Sequence, residues 1–161
     1  MQIDKRQIKE KLILNVKKEL EVAQVAAQNT ASYKNDESMR AEGKYDTRSI
    51  EAGYLAGAQM KRVEDLKLEL QMLEEIPVHE FSQDDEASIG ALVEIDHKNQ
   101  IRPYYLSSTA GGTLVDIDGH GILVISVFSP LGQEVLGLKV GDEFQVETPQ
   151  NTRDYKVVSI C

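Results

Sequence analysis

Residues 126–142 read Ser-Val-Phe-Ser-Pro-Leu-Gly-Gln-Glu-Val-Leu-Gly-Leu-Lys-Val-Gly-Asp. They follow Ile122-Leu123-Val124-Ile125, an apolar run of the length of a buried strand. Ser129 is suited to accept a hydrogen bond from the free amides of a new helix, and Pro130 suits its first position, where no amide bond is lost. Gly137 ends that helix within about two turns, because glycine tolerates the left-handed backbone at a helix C-terminus. Val140-Gly141-Asp142 then turns the chain into Phe144-Gln145-Val146-Glu147, which alternates as a strand does. Strand, short capped helix, turn and strand together predict a compact α+β domain.

Working outward, the period from Ser88 onward is two. Strands are expected at 90–97, 101–107, 113–118, 121–127, 143–147 and 154–160, with the one helix at 130–136 interrupting them. Asn99-Gln100 and Asp118-Gly119 sit where hairpin turns are needed.

The first half has a different rhythm. Ile13, Val16, Leu20, Ala23 and Ala27 are spaced 3, 4, 3 and 4 apart. Ala52, Ala56, Gln59, Val63, Leu66, Leu70 and Leu73 repeat the pattern. This is the seam of a coiled coil. No proline occurs between Met1 and Ile76, so nothing forces a break. Charged residues, among them Lys5, Lys9, Lys17, Arg62 and Glu64, fill the other faces. The segment Thr30 to Tyr45 is polar and has no seam. Two seams joined by a polar tip predict an antiparallel helical hairpin, monomeric and paired within the chain, with dimerisation through the helices as the alternative. A first helix over 4–30 is on the order of 40 Å long. Ile76-Pro77-Val78 ends the second helix. The expected organisation is a helical hairpin at 1–77, an acidic linker at 78–87, and a sheet domain at 88–161.

The chain has 161 residues and a formal net charge of −9, which opposes binding to a nucleic-acid backbone through the overall field. Tryptophan is absent and aromatics are 6%, too few for a base-stacking surface. A protein partner with a basic surface or channel fits better, with no DNA specificity of its own. The only cysteine is the last residue, Cys161, so no disulfide forms within the chain, in keeping with a reducing compartment. No apolar stretch approaches the roughly 20 residues of a membrane span, and the first residues lack a signal-peptide core. A soluble cytoplasmic protein is expected.

The 126–142 stretch resembles the C-terminal signature of the Gre transcript cleavage factors, the GreA/GreB family of bacterial RNA polymerase. That family carries a Ser-Pro-aliphatic-small step, a short apolar helix and a Gly-Asp turn in this spacing, although Glu134 stands here where a small residue is usual. The resemblance implies an α+β architecture: an N-terminal coiled-coil hairpin and an FKBP-like C-terminal domain that docks at the rim of the polymerase secondary channel. It implies that the hairpin enters the channel, near the nascent RNA. Acidic residues at the tip would then help hold the second magnesium ion of the polymerase's own active centre, with no cofactor of the chain's own and no enzymatic activity beyond the polymerase's. Glu42-Gly43-Lys44-Tyr45-Asp46-Thr47-Arg48 is similar to the family's tip and nominates Asp46 as the tip carboxylate, with Glu42 as a weaker second. The family's cleavage factors have Gly-Asp followed three residues later by Glu; here Gly43 lies three residues before Asp46, and Ser49 stands three after it. On the globular domain the resemblance nominates Ser129, Pro130, Leu131 and Leu138 for polymerase contact, with core packing as the alternative for Leu131 and Leu138.

A magnesium-assisting tip needs carboxylates. Asp36, Glu37, Glu42, Asp46 and Glu51 are available, but Lys34, Arg40, Lys44 and Arg48 nearly cancel them. Asp46 equally suits a helix start. Three functions therefore stand open: a cleavage factor, a channel-binding regulator that does not cleave, and a coiled-coil adaptor or chaperone for another protein. Asp116 to Gly121 begins like a calcium loop, but Leu123, Val124 and Ile125 replace the later ligands, leaving a hairpin turn. His79, His97 and His120 are scattered without zinc spacing. Tyr104, Tyr105, Phe128, Phe144 and Tyr155 would have to converge to form a prolyl-isomerase pocket; sheet core is the plainer assignment.

Overall fold

Two helices open the chain, α1 (Lys5–Lys34) and α2 (Thr47–Glu75), in a computed structural model that describes residues 3–34 and 47–161. Both run further toward each other than the seams alone indicate, since no proline stops them. Glu42 and Asp46 lie outside the described residues. The chain divides into two compact units, Leu14–Gln71 and a second that joins Met1–Ile13 to Met72–Cys161.

In the first unit the seam positions are the covered ones. Val16, Ala52, Val63 and Leu66 are buried, and Leu20, Ala23, Ala27, Ala56, Gln59 and Leu70 are half-buried between exposed neighbours. The pairing is antiparallel: the Arg62 guanidinium donates to the Glu19 carboxylate at 2.8 Å, while Asn29 and Thr30 lie beside Ala52 and Leu55. That ion pair is exposed on both sides and contributes little. The hairpin is held by its narrow apolar seam.

The second unit is built on a six-stranded mixed sheet in the order β3-β4-β2-β1-β6-β5. Its strands are β1 (Leu92–His97), β2 (Gln100–Ser107), β3 (Leu114–Ile117), β4 (His120–Ser126), β5 (Glu143–Glu147) and β6 (Thr152–Ile160). All neighbours are antiparallel except β2 and β4. The helix α3 (Pro130–Val135) carries the chain from β4 to β5 at the far edge. The β3–β4 turn falls at Asp118-Gly119, with φ of 52° and 82°, and the Asp116 carboxylate accepts the Gly119 amide at 3.0 Å. The β1–β2 turn falls at Lys98-Asn99, one residue earlier than expected. Both residues have positive φ, as a two-residue turn matching the strand twist requires.

Alternation gives the sheet two buried faces. One carries Val93, Ile95, Leu106, Ile125, Phe144, Val146 and Val157 and packs with Val135 of α3. The other carries Leu92, Tyr105, Val115, Ile117, Ile122 and Val124, all buried. Within the same unit Ile8 and Leu12 of α1, Leu73 of α2 and Ile76 just beyond it are also buried. Lysines fasten these segments. The Lys9 ammonium donates to the carbonyls of Glu74 and Ile76 at 2.7 Å each, satisfying acceptors that a helix C-terminus leaves open. The Lys5 ammonium donates to the His79 carbonyl at 2.7 Å and lies 4.6 Å over the Phe81 ring. Lys5 is only 6% exposed, and burial pulls its pKa down. Both lysines differ here from the solvated surface charges expected, because their amines reach backbone oxygens. Phe81, in the acidic 78–87 segment, packs against the core.

The Tyr105 hydroxyl is buried without a hydrogen-bond partner among the described residues, and burial pushes the phenol up to about 12. Below the ordinary value near 10 both states keep the proton. Between there and about 12 the unfolded phenol ionises and the folded one does not, so stability falls with pH, by roughly 1.4 kcal/mol per unit. Urea midpoints from pH 8 to 11.5 are expected to fall more steeply for the parent than for Tyr105→Phe, and the variant is expected to be no less stable at pH 8. Equal alkaline losses in the two proteins would refute this.

Candidate partner-binding site around the short helix

The turn between β4 and α3 is fixed by a chain of short-range bonds. The Ser129 hydroxyl donates to the Ser126 carbonyl at 2.7 Å and accepts the Gly132 amide at 3.1 Å, capping α3 with Pro130 behind it. The Ser126 hydroxyl accepts the Phe128 amide at 3.2 Å, and the Gln133 side-chain amide donates to the Phe128 carbonyl at 3.3 Å. At the other end the Leu136 amide donates to the Gly132 carbonyl, and Gly137, at φ 84°, turns the chain away. Gly137 and Leu138 then tie to the 78–87 segment through Ala87, its amide donating to the Leu138 carbonyl at 2.7 Å and its carbonyl accepting the Gly137 amide at 2.8 Å. The whole 126–138 stretch is therefore a rigid mount.

The four residues nominated from sequence lie together on this mount but present different chemistry. Ser129 uses its hydroxyl in the cap. Leu131 and Leu138 are half-buried and pack against the core. Pro130 is exposed. The apolar side chains left open are at the two ends: Phe128, 70% exposed, and Leu136, 45% exposed. Sequence reasoning missed both as contact candidates. The signal was there in phase: Gly132 and Val135 point α3 at the core, which turns the adjacent Leu136 outward. Phe128 directly follows the buried Val127 and precedes the cap, so it has no core-facing position left.

The aromatic residues do not converge on one pocket. Phe144 and Tyr155 stack at 5.3 Å, with His97 4.7 Å from Tyr155. Tyr105 is buried on the opposite face, and Phe128 stands apart in solvent. Cys161 is half-buried, and burial pushes its thiol up, away from thiolate chemistry. Among the described residues no group of three or more His, Cys, Asp or Glu side chains is arranged to hold a metal. Nor is any described helix long and apolar enough to cross a membrane.

Residues 82–161 match the C-terminal domain of the transcription elongation factor GreA/GreB family. The chain belongs to the GreA/GreB family. The matched segment holds the whole Ser126–Asp142 mount and all six strands. The transcription inhibitor protein Gfh1 of Thermus thermophilus is 26% identical over 127 residues, covering 77% of this chain and 77% of that protein. Among solved structures, the transcription factor Gfh1 covers 92% of each chain at 20% identity and TM-score 0.41. Thermus aquaticus Gfh1 covers 91% of each at 22% identity and TM-score 0.40. A GreA/GreB factor from Nitrosomonas europaea covers 61% of this chain and 77% of its own at 24% identity and TM-score 0.36.

Proposed function

We propose that this member of the GreA/GreB family binds bacterial RNA polymerase at its secondary channel and regulates transcription by occupying the channel, without stimulating RNA cleavage. The observation that carries the polymerase reading is the match of residues 82–161 to the family's C-terminal domain, joined to an antiparallel hairpin in Leu14–Gln71. Two points support the non-cleaving version. A relative matched over 77% of the chain is named a transcription inhibitor. The tip sequence mixes Lys34, Arg40, Lys44 and Arg48 with its acids and lacks a Glu three residues after Asp46. A near-neutral tip attracts a second magnesium ion poorly. On this reading the chain is a regulator and not an enzyme, and Asp46 and Glu42 are residual tip carboxylates.

The test is a backtracked elongation complex supplied with the purified protein, alone and together with a genuine cleavage factor. The expected result is no added cleavage by the protein alone, and dose-dependent suppression of cleavage by the factor. Cleavage that Asp46→Asn reduces by about a hundredfold, the scale for losing a catalytic metal ligand, would overturn the non-cleaving version and make Asp46 the tip ligand. No binding to polymerase at all would overturn the whole reading.

A further inference from the structure

Among the described residues the sheet ends on β3 at one side and on β5 at the other. An end strand presents a row of backbone donors and acceptors to any chain that can pair with them. Which residues present them follows from the alternation of hydrogen bonds in an antiparallel pair. On β3 the Thr113 carbonyl accepts the Val124 amide, and the register continues with Val115 opposite Ile122 and Ile117 opposite His120. Leu114 and Asp116 therefore point their amides and carbonyls away from β4. On β5 the Asp142 carbonyl accepts the Val157 amide and the Thr148 amide donates to the Asn151 carbonyl, so the outward groups are those of Glu143, Gln145 and Glu147.

The two edges are closed in different ways. Along β5 the side chains at the outward positions are exposed and mostly acidic. Two copies paired antiparallel about Gln145 would set Glu143 opposite the second copy's Glu147, and like charges directly opposite each other oppose pairing. β3 has no such protection. Leu114 is 69% exposed, and the Asp116 carboxylate is turned back onto the Gly119 amide. Two copies paired about Val115 would set Leu114 opposite the second copy's Asp116, so that neither acid faces the other and roughly four backbone bonds form. That arrangement is two-fold and closes on itself. Lys11 stands in its way. From α1, 105 residues earlier in the chain, its ammonium donates to the outward Asp116 carbonyl. An incoming strand needs that carbonyl. Lysine is a common guard of edge strands, and here it is supplied by a helix and not by the strand itself.

We propose that Lys11 closes a self-complementary strand-addition surface on β3, and that a chain without this lysine pairs with a second copy of itself through β3. Lys11 lies in the Met1–Ile13 segment, which belongs to the same compact unit as the sheet, so guard and edge stay together. This holds whatever the protein binds in transcription.

The experiment is sedimentation velocity of the full chain over a concentration series, with thermal unfolding to check that each variant is folded. The parent and Lys11→Arg, which keeps the donors, are expected to sediment as monomers. Lys11→Ala is expected to dimerise at concentrations about tenfold or more below any at which the parent does. Lys11→Gln, which loses both charge and reach, serves if the alanine variant does not fold. Adding Leu114→Pro to Lys11→Ala is expected to restore the monomer, because proline there removes an outward amide and no ladder bond. In the dimer the Leu114 and Asp116 amides are expected to exchange more slowly with solvent, while those of Glu143 and Gln145 keep the parent's rates. A folded Lys11→Ala chain that sediments as the parent does at every concentration would overturn the guard. Association that survives Leu114→Pro would overturn the β3 surface and place the contact elsewhere.

Discussion

Replacing Gly132 with alanine is expected to unfold the globular unit or bring it to the edge of unfolding. A Cβ at this position would lie 2.0 Å from the Ser126 carbonyl oxygen, 2.8 Å from its carbon and 2.9 Å from the Val127 α-carbon. All three are backbone atoms of the strand exit that α3 packs on, so no side-chain rotation relieves the clash. Alanine favours a helix over glycine by about 1 kcal/mol, which does not offset it. Overpacking a core costs about 1–3 kcal/mol where side chains can yield, and more is expected here, where only backbone is available to move. Against a total stability of roughly 5–15 kcal/mol this is decisive. Denaturant titration of the variant checks it; a midpoint equal to the parent's would show that α3 and β4 can part without cost. The same contact explains why the Ser-Pro-aliphatic-small step ends in a small residue.

Leu66→Ala is expected to melt the hairpin and spare the sheet. Within Leu14–Gln71 the buried apolar side chains among the described residues are Val16, Ala52, Val63 and Leu66, of which Leu66 is the largest and is fully covered. Emptying such a site costs about 2–5 kcal/mol, and a two-helix seam has little in reserve. Far-UV circular dichroism should lose helical signal well below the parent's transition, while amides of β1, β2 and β6 remain protected from exchange. Full helicity in the variant, with an unchanged transition, would contradict this.

The strands and α3 were legible because their signals are local. Alternation, the Ser129-Pro130 start and the Gly137 stop each act within a few residues, and α3 is found at Pro130–Val135 against an expected 130–136. The same holds for the hairpin, whose seam residues are those the fold covers. What sequence hid is what depends on distant partners. Nothing local announces that β2 and β4 pair in parallel, or that Ile8 and Leu12 belong to the same compact unit as the sheet. Lys5 and Lys9 look like surface charges until the carbonyls of residues 74–79 are brought to them. The β1–β2 turn was placed one residue late because Asn99 is the only residue there with a marked left-handed preference, yet Lys98 shares that conformation at φ 54°. Leu131 and Leu138 pack against the core while Pro130 and Leu136 are exposed, a difference that apolar character alone does not reveal.

The compact unit made of Met1–Ile13 and Met72–Cys161 has a consequence for engineering. In chain topology the hairpin is a guest sequence inserted into a host domain, entering after Ile13 and leaving before Met72. A host cut at residue 88 would lack Met1–Ile13 and the stretch from Met72, with the buried Ile8, Leu12, Leu73, Ile76 and Ala87, so it is not a fair isolated domain. Conversely, heptads added or removed in matched pairs from the two arms would alter the guest's length by roughly 10 Å per pair while leaving every host contact in place. The arm becomes an adjustable ruler, and under the channel-occupying function proposed above the effect on transcription is expected to change with its length.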